Sequence, residues 1–357
     1  MTLVVTFGTW RGDLGGRMME GESRDDHGEG DRMGSPLRKY KEGKMAEPIL
    51  IVEDLQKSYG DNHAVRGVSF RVARGEIFGL LGPNGAGKTT TISMLTGLFP
   101  PDAGTVTVDG LDLKTQIMAV KAKLGLVPQD LALYPTLSAR QNLTFFGQIY
   151  GLRGRQLSNR VKEVLEMIGL TDKADKAVET YSGGMKRRVN IGAGLLHKPD
   201  ILFLDEPTVG VDPQSRNAIF ENVEALNREG MTVIYTTHYM EEAQRLCHRV
   251  GIVDTGKMIA LDTPSALIRS LGGGIVLLGV AEEQGEALVE QVTQLPAVKA
   301  ATRSDGQIKI ETVRVQEALM GALDLANRLD TRLTSLEILE PNLESVFLHL
   351  TGKKLRQ

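Results

Sequence analysis

Residues 82–89 constrain this chain more than any other part of its sequence. They are GPNGAGKT, which fits the pattern G-x-x-x-x-G-K-[ST] of a phosphate-binding loop, or P-loop. Glycine at Gly82, Gly85 and Gly87 allows backbone torsions that a Cβ would block, so the N–H groups of the loop can converge on an anion. The pattern predicts that Lys88 reaches the β- and γ-phosphates of a nucleotide and that the Thr89 hydroxyl ligates Mg²⁺.

The residues on either side of the P-loop agree with a nucleotide site. Residues 76–81 (EIFGLL) predict a buried strand, and residues 90–95 (TTISML) predict the start of a helix, whose N-terminus favours an anion. A chance match of a glycine-rich turn is about a one-in-a-hundred event for a chain of this length, and the flanking elements make it rarer. The predicted nucleotide site therefore also includes Pro83, Asn84, Ala86 and Thr90.

The composition limits the class of protein. The 357 residues are 41% hydrophobic and 24% charged, which is typical of a soluble globular protein of about two domains. The formal net charge of -3 gives no global reason to expect nucleic acid as a partner. The single cysteine, Cys247, rules out an intrachain disulfide and favours a reducing cytoplasm. No apolar run approaches the roughly 20 residues that span a bilayer, so we expect this chain not to cross a membrane alone.

The first 44 residues differ from the rest. Residues 11–44 are dense in glycine and charged side chains, and such a segment cannot bury enough apolar surface to offset its ordering entropy. Two interpretations stay open here. Residues 1–44 are either a disordered extension or a non-native one, with the true start at Met45, where the run MAEPILIVEDL begins. The intact mass of the protein from its native host distinguishes them.

Short apolar runs alternate with helical stretches through the middle of the chain. This alternation predicts a largely parallel sheet covered on both faces, with ligands at the carboxyl ends of its strands. The P-loop, the pair Asp205 and Glu206, and His238 all fall at such ends. Predicted strands are residues 49–52, 68–72, 105–108, 124–127, 201–204 and 232–236, with a turn-like segment at 57–60 and helices within 134–196 and 217–227.

The run ILFLDEP at residues 201–207 supplies the second half of a nucleotide site. A buried strand that delivers acids to its tip is a Walker B pattern, in which Asp205 holds Mg²⁺, through water. Glu206 is then placed to orient or deprotonate an attacking water. The structural alternative is two surface acids after a strand, which a P-loop in the same chain disfavours.

The order of the remaining motifs identifies a family. Residues 181–188 are YSGGMKRR, in which Ser182, Gly183 and Gly184 precede a helical segment and Ser182 suits its N-cap. Alone this motif is weak. With the order P-loop, Gln129, Ser-Gly-Gly, Asp-Glu and His238, residues 48–270 resemble the nucleotide-binding subunit of an ATP-binding cassette (ABC) transporter.

The resemblance implies roles for matched positions. Tyr59 stands where the family stacks an aromatic ring on adenine, and Gln129 matches the Q-loop glutamine that contacts Mg²⁺ and senses the membrane partner. Residues 182–185 match the signature sequence, Asp212 matches the D-loop, and His238 matches the switch histidine that contacts the γ-phosphate. A structural role is expected for the other histidines, His63, His197, His248 and His349.

Two departures from the family pattern occur in the signature. Tyr181 replaces the usual leucine and Met185 the usual glutamine, while the serine and both glycines that face phosphate remain. We therefore still predict that the signature faces phosphate, but we assign no role to a glutamine side chain there. Met185 and the segments 136–143 and 342–348 resemble the ABC-2 branch of drug and polysaccharide exporters.

The implied fold is an α/β P-loop NTPase cassette, with a mostly parallel sheet core, an antiparallel β subdomain and a helical insertion over about residues 133–196. After residue 270 the pattern changes. Glycines at 272–274 predict a linker, and residues 272–351 predict a βαββαβ order plus a final helix, which is that of a small ferredoxin-like α+β domain. It contains no cluster of chemically active residues, so we expect a role in contact or regulation, with structural padding as the alternative.

The resemblance implies that the chain binds and hydrolyses ATP with Mg²⁺, and that it energises an exporter whose transmembrane permease is a separate polypeptide. It further implies a homodimer with ATP at the interface, on the inner face of the cell membrane, with no nucleic acid. One alternative is a non-transport ABC ATPase of DNA repair or translation, but the chain has one cassette without a long coiled coil or zinc module. A nucleotide-gated scaffold is disfavoured by the intact Lys88, Asp205, Glu206 and His238.

Overall fold

The computed structural model describes residues 47–280, 285–304, 306–339 and 341–351. The interpretations of residues 1–44, and Asp305 of a predicted turn, lie outside the described residues. Within them, the strands form three sheets. In chain order the strands are β1 (Pro48–Tyr59), β2 (Asn62–Ala73), β3 (Ile77–Leu81), β4 (Ala103–Val108), β5 (Leu111–Asp112), β6 (Leu124–Val127), β7 (Ile201–Asp205), β8 (Thr232–Thr237), β9 (Arg249–Asp254), β10 (Lys257–Asp262), β11 (Gly274–Val280), β12 (Val298–Ser304), β13 (Gln307–Thr312) and β14 (Leu333–Leu339).

Helices connect and cover these strands. In the described part of the chain, no helix combines the length and hydrophobicity needed to span a bilayer. In chain order the helices are α1 (Lys88–Leu95), α2 (Ile117–Ala122), α3 (Ala139–Ile149), α4 (Gly154–Met167), α5 (Gly183–Leu195), α6 (Pro213–Arg228), α7 (Met240–Leu246), α8 (Pro264–Ser270), α9 (Glu286–Thr293), α10 (Val315–Arg328) and α11 (Leu343–Thr351).

The central sheet has the strand order β10-β9-β3-β8-β7-β6, and all neighbours are parallel except β10 and β9. Strands β3, β7 and β8 are buried along their whole length, as expected for strands covered on both faces. Alternate residues serve two cores: Leu202 and Leu204 of β7 pack in one, and Ile201 and Phe203 in the other. The predicted largely parallel sheet is confirmed.

The strand order decides what the site can contain. Strand β8 lies between β3 and β7, so the carboxyl ends of these three strands are adjacent. The P-loop follows β3, His238 follows β8, and Glu206 follows β7. Three segments far apart in sequence therefore meet at one edge of the sheet.

The antiparallel sheet in the N-terminal part of the described chain has the order β2-β1-β4-β5. Strands β1 and β2 are longer than predicted. Residues 57–59, which we expected in a turn, continue β1, and the chain reverses over Gly60 and Asp61, with Tyr59 opposite Asn62. A two-residue Gly-Asp loop between strands is typical of a tight hairpin. The hairpin places Tyr59 at the end of a strand rather than in a flexible loop.

Helices α3, α4 and α5 lie within the stretch predicted to be helical. Ser138 begins α3 with a reciprocal capping box, in which its hydroxyl accepts from the Gln141 N–H and the Gln141 side chain accepts from the Ser138 N–H. The buried guanidinium of Arg160 on α4 donates to the carbonyl oxygens of Leu195 and Leu196 at the end of α5. These contacts join the helical insertion into one layer.

The C-terminal strands and helices follow the predicted βαββαβ order, and they form an antiparallel sheet with the order β12-β13-β11-β14. Val276, Leu278, Ile308 and Ile310 form its buried centre with helices α9 and α10. The last helix departs from this unit. Helix α11 buries Leu343, Val346 and Phe347 in the same core as α7 and α8, because these apolar residues share one helical face.

The position of α11 leads to a stability prediction. Phe347 is 2% exposed and Leu350, on the same helix, is 45% exposed. We expect Phe347→Ala to lower the free energy of unfolding by about 3–5 kcal/mol and Leu350→Ala to change it by less than about 0.5 kcal/mol. Urea unfolding of the two variants measures the difference, and equal small effects would show that α11 does not pack on the cassette core.

Candidate nucleotide-binding and hydrolysis site

The P-loop runs from the end of β3 to the start of α1. Gly87, the residue before the helix, has φ of 102°, a backbone torsion that residues with a side chain rarely adopt. At Gly82 the constraint is space, because a Cβ would collide with the carbonyl oxygen of Val253 at the end of β9. Both glycines are therefore required by local geometry.

Lys88, the first residue of α1, is 4% exposed, and its ammonium is held on several sides. Nζ donates to the carbonyl oxygens of Gly82 at 2.8 Å and Pro83 at 3.1 Å. It also lies 3.0 Å from Oε1 of Glu206. The charge is thus aimed across the P-loop toward the end of β7.

Glu206 contacts both the P-loop lysine and His238. Its second carboxylate oxygen, Oε2, lies 3.1 Å from Nδ1 of His238. Its backbone has φ of 44°, which is uncommon for a residue with a side chain and persists only where the surroundings impose it. The Glu206 N–H donates to the Thr236 hydroxyl at 2.9 Å. One carboxylate therefore connects the ends of β3, β7 and β8.

Asp205, the residue before Glu206, is buried beneath this pair. Burial raises the pKa of its carboxyl, and hydrogen bonds from the Thr236 and Thr89 hydroxyls oppose the rise. The Thr236 hydroxyl donates to Oδ1 at 2.6 Å. The hydroxyl of Thr89 and the carboxylate of Asp205, predicted as ligands of one ion, therefore lie together.

A cleft of about 540 Å³ opens above these residues. It brings together most of the predicted site, from the aromatic ring of Tyr59 to the Q-loop. Nine of its lining residues were predicted from sequence: Tyr59, Asn84, Gly85, Gly87, Lys88, Thr89, Thr90, Gln129 and Glu206.

Five other lining residues were missed by sequence reasoning: Asn62, His63, Ala64, Arg66 and Thr255. Among them is His63, for which we expected only a structural role; its Nδ1 lies 2.8 Å from the Ser58 hydroxyl. The available signal was the Gly-Asp loop after Tyr59, because a hairpin there places the start of β2 beside the aromatic. Thr255, from the β9–β10 turn, carried no sequence signal.

The signature segment and the D-loop lie together, away from this cleft. Ser182 caps α5 by accepting from the Met185 N–H at 3.3 Å, and Asp212 caps α6 by accepting from the Ser215 N–H at 2.9 Å. Gly184 packs directly on Ser215, where a Cβ would collide. None of the described residues that line the cleft belongs to either segment, while Ser182 and Gly183 are exposed.

The two departures in the signature have a structural explanation. Tyr181 is buried in the core, and its hydroxyl donates to the carbonyl oxygen of Lys173, so it fills an apolar position and satisfies its polar atom. Met185 packs half-buried against the same core. Neither side chain alters the exposed serine and glycine.

Comparison with known proteins decides the family. Residues 65–209 match the model of a family described as ABC transporter. Over 310 residues the chain is 48% identical to the linearmycin resistance ATP-binding protein LnrL of Bacillus subtilis, covering 86% of this chain and 100% of LnrL. The chain belongs to the ATP-binding proteins of ABC transporters. This ABC protein is also 40% identical over 313 residues to a daunorubicin resistance ATP-binding protein of Streptomyces coeruleorubidus, covering 87% and 98% of the two chains.

A solved ABC cassette shows the same fold with nucleotide products. It is a dimer in a post-hydrolysis state bound to ADP and Pi, with a TM-score of 0.55 and 26% identity, covering 60% of this chain and 98% of that one. The cbiO1 protein of Clostridium perfringens, part of the ABC transporter complex cbiONQ, has a TM-score of 0.58 and 30% identity, covering 63% and 94%. The predicted ABC fold and ATPase activity are confirmed. The relatives named for drug resistance confirm the resemblance to the ABC-2 branch and favour an exporter ATPase over the DNA-repair and translation alternatives.

The raised pKa of Asp205 leads to a prediction with a definite sign. A carboxyl whose pKa is higher in the folded protein opposes folding fully when pH is above that raised pKa, and the penalty shrinks as pH falls through it toward the pKa of the unfolded chain. We therefore expect Asp205→Asn, measured without nucleotide or divalent metal, to raise the thermal midpoint at neutral pH, with a gain that shrinks toward acidic pH. The control Asp102→Asn should do the opposite, because the Lys57 hydrogen bond lowers the pKa of Asp102. A neutral-pH midpoint lowered by Asp205→Asn would contradict the assigned direction.

Proposed function

We propose that this ABC protein hydrolyses ATP in the P-loop cleft and thereby energises export through a separate membrane permease. One observation carries the site assignment: the Glu206 carboxylate lies within 3.0 Å of Lys88 and 3.1 Å of His238. A carboxylate held between two such groups is oriented well enough to position and deprotonate a water. The resistance and export functions in the names of full-length relatives support the transport role.

Each predicted residue has a role in this proposal. Lys88 and His238 contact the γ-phosphate, and Glu206 is the general base for the attacking water. Tyr59, at the end of β1, stacks on the adenine, and Gln129 connects the nucleotide to the partner. The P-loop residues that surround the phosphates are Gly82, Pro83, Asn84, Gly85, Ala86, Gly87, Thr89 and Thr90.

Mg²⁺ is proposed as the metal that accompanies ATP. Among the described residues, no group of three or more His, Cys, Asp or Glu side chains is suited to an ion. Of the three proposed oxygen ligands, Thr89 and Gln129 line the cleft, and the buried Asp205 carboxylate lies next to the Thr89 hydroxyl, with which it forms a hydrogen bond. Mg²⁺ binds in this way, through one or two carboxylates together with substrate phosphates, so these residues fit the ion. When bound, it neutralises charge on the β- and γ-phosphates.

A second copy of the chain completes the proposed site. Ser182, Gly183, Gly184 and Asp212 are predicted to face nucleotide, yet the first two are exposed and none lines the cleft of its own chain. In a head-to-tail homodimer they would close on the ATP of the partner copy. The dimeric cassette bound to ADP and Pi supports this arrangement.

The dimer is proposed to dock on the inner face of the cell membrane, against a transmembrane permease that selects the cargo. The resemblance to the ABC-2 branch suggests a drug-like compound, lipid or polysaccharide as the exported class. Relatives named for linearmycin resistance, daunorubicin resistance and Nod factor export support an exported cargo. The net charge of -3 agrees with a protein partner rather than nucleic acid.

The general-base role leads to a prediction about turnover. We expect Glu206→Gln to lower the ATPase rate by on the order of a hundred- to ten-thousand-fold, while ATP still binds and traps a dimer. Adding Ser182→Asp, which keeps an N-cap residue but places a negative charge toward phosphate, should prevent that dimer without removing ATP binding. Phosphate release and size-exclusion chromatography with ATP measure both effects. A Glu206→Gln variant that turns over at the parental rate would refute the assigned base.

The transport role is tested by purification from detergent-solubilised membranes of the native host. We expect a polytopic permease to accompany the chain in near-equal amounts. The control is Lys88→Ala, which keeps the surface but loses ATP binding and so reports whether association depends on nucleotide. Recovery of ribosomes or DNA in place of any membrane protein would refute transport while leaving the ATPase assignment intact.

A further inference from the structure

A second buried carboxylate lies close to the catalytic residues and has no role in the scheme above. Glu242 is on α7, four residues after His238, and is 2% exposed. An ionised carboxylate at such a depth is costly unless hydrogen bonds or charges compensate it. Its partners therefore show what it holds in place.

Three hydroxyl groups donate to Glu242. The Thr208 hydroxyl donates to Oε1 at 2.7 Å, and the hydroxyls of Tyr235 and Thr237 donate to Oε2 at 3.0 Å and 2.8 Å. Burial and the nearby Glu242 charge raise the pKa of Tyr235, so its hydroxyl stays protonated and available as a donor. All three donors are buried.

The donors come from the segments that carry the catalytic residues. Thr208 follows Glu206 by two positions, and Thr237 immediately precedes His238. The Thr237 hydroxyl also accepts from the Tyr239 N–H at 2.9 Å, so the backbone is held on both sides of His238. Through its two oxygens, Glu242 thus connects the segment after β7 with the segment after β8.

A positive charge on α6, the helix that begins after the D-loop residue Asp212 and is called the D-loop helix below, faces the same carboxylate. Arg216 lies on α6, one turn after its N-cap Asp212, and its Nε is 3.7 Å from Oε1 of Glu242. Its guanidinium also lies over the ring of Tyr239, 5.2 Å from the centroid. The ion pair brings a third segment of the proposed site into contact with Glu242.

We propose that Glu242 is a positioning residue for ATP hydrolysis, which sets the distance between Glu206 and His238 and links both to the D-loop helix. The proposal rests on the proposed roles of Glu206 and His238. A carboxylate accepts at both oxygens without reorientation, so it can hold three hydroxyls at once. A glutamine of the same shape cannot, because its NH₂ group is not an acceptor.

The test compares Glu242→Gln with a matched control, Glu76→Gln. Glu76 is also a buried carboxylate, 3% exposed. It accepts hydrogen bonds from Arg249 Nε and from the Ala73 N–H, both at 2.7 Å, and it precedes β3, at the end of that strand opposite to the P-loop. We expect Glu242→Gln to lower kcat by about ten- to a hundredfold, the scale of a small misplacement of reacting groups, with little change in KM for ATP. Glu76→Gln should lower the thermal midpoint and leave kcat near the parental value. Equal kcat in the two variants overturns the proposal.

A combined variant separates positioning from a general loss of stability. If Glu242 acts through Glu206 and His238, its replacement in a background that carries both Glu206→Gln and His238→Ala should lower the residual turnover little further, because residues that act as a unit are not additive. Additive losses would overturn the proposal. Failure of the proposed function is a separate result: His238→Ala and Glu206→Gln would then each retain parental turnover.

A second pair of variants applies if Glu242→Gln does not fold. Thr208→Val removes one donor at almost unchanged volume, and we expect it to lower kcat several-fold. Its control is Thr232→Val. Thr232 begins β8, at the end of the strand away from His238, and its hydroxyl accepts from the Gly75 N–H at 3.0 Å. Full kcat in Thr208→Val would overturn the proposal, and a loss confined to Thr208→Val would support it.

Discussion

The buried ion pair between Lys88 and Glu206 is the interaction on which the rest of the site depends. Without nucleotide, removing either charge leaves the other uncompensated, at side chains that are only 4% and 6% exposed, which is unfavourable. The pair exists only because β3 and β7 are held one strand apart by β8. The α/β sheet thus holds Lys88, Glu206 and His238, each just after the end of a different strand, close together.

The buried polar residues near this pair form two sets of hydrogen bonds. Asp205 and Thr236 join the tips of β7 and β8 directly, and Glu242 joins the segments that follow them. A buried polar network is stable only when its members are satisfied. A displacement of one segment would therefore break hydrogen bonds to the others. The same network reaches α6 and, through α7, the core in which α11 is packed. Helix α11 therefore packs on the same helix, α7, that carries Glu242.

Short motifs predicted the P-loop and the buried strand before Asp205 correctly because the requirements of each are local. The P-loop glycines are needed by the torsion at Gly87 and the close approach of Val253 to Gly82, and the strand before Asp205 is a continuous apolar run. The same approach failed where a residue's role comes from its neighbour across a sheet. His63 is beside Tyr59 only through hairpin register. Glu242 belongs to no motif, since its hydroxyl partners lie between five and thirty-four positions away in sequence.

Sequence patterns alone were sufficient for the family and the nucleotide, and they singled out the lysine, acids and histidine that we propose to handle phosphate, because these motifs depend on residue type and on spacing within a few positions. Tertiary structure decided which of those residues meet. It separated Ser182 and Asp212 from the cleft of their own chain, brought Gly184 against Ser215, and placed α11 on the cassette core. The physical reason is that strand order and helix packing bring distant segments into contact, and no local pattern encodes a distance between segments that are far apart in sequence.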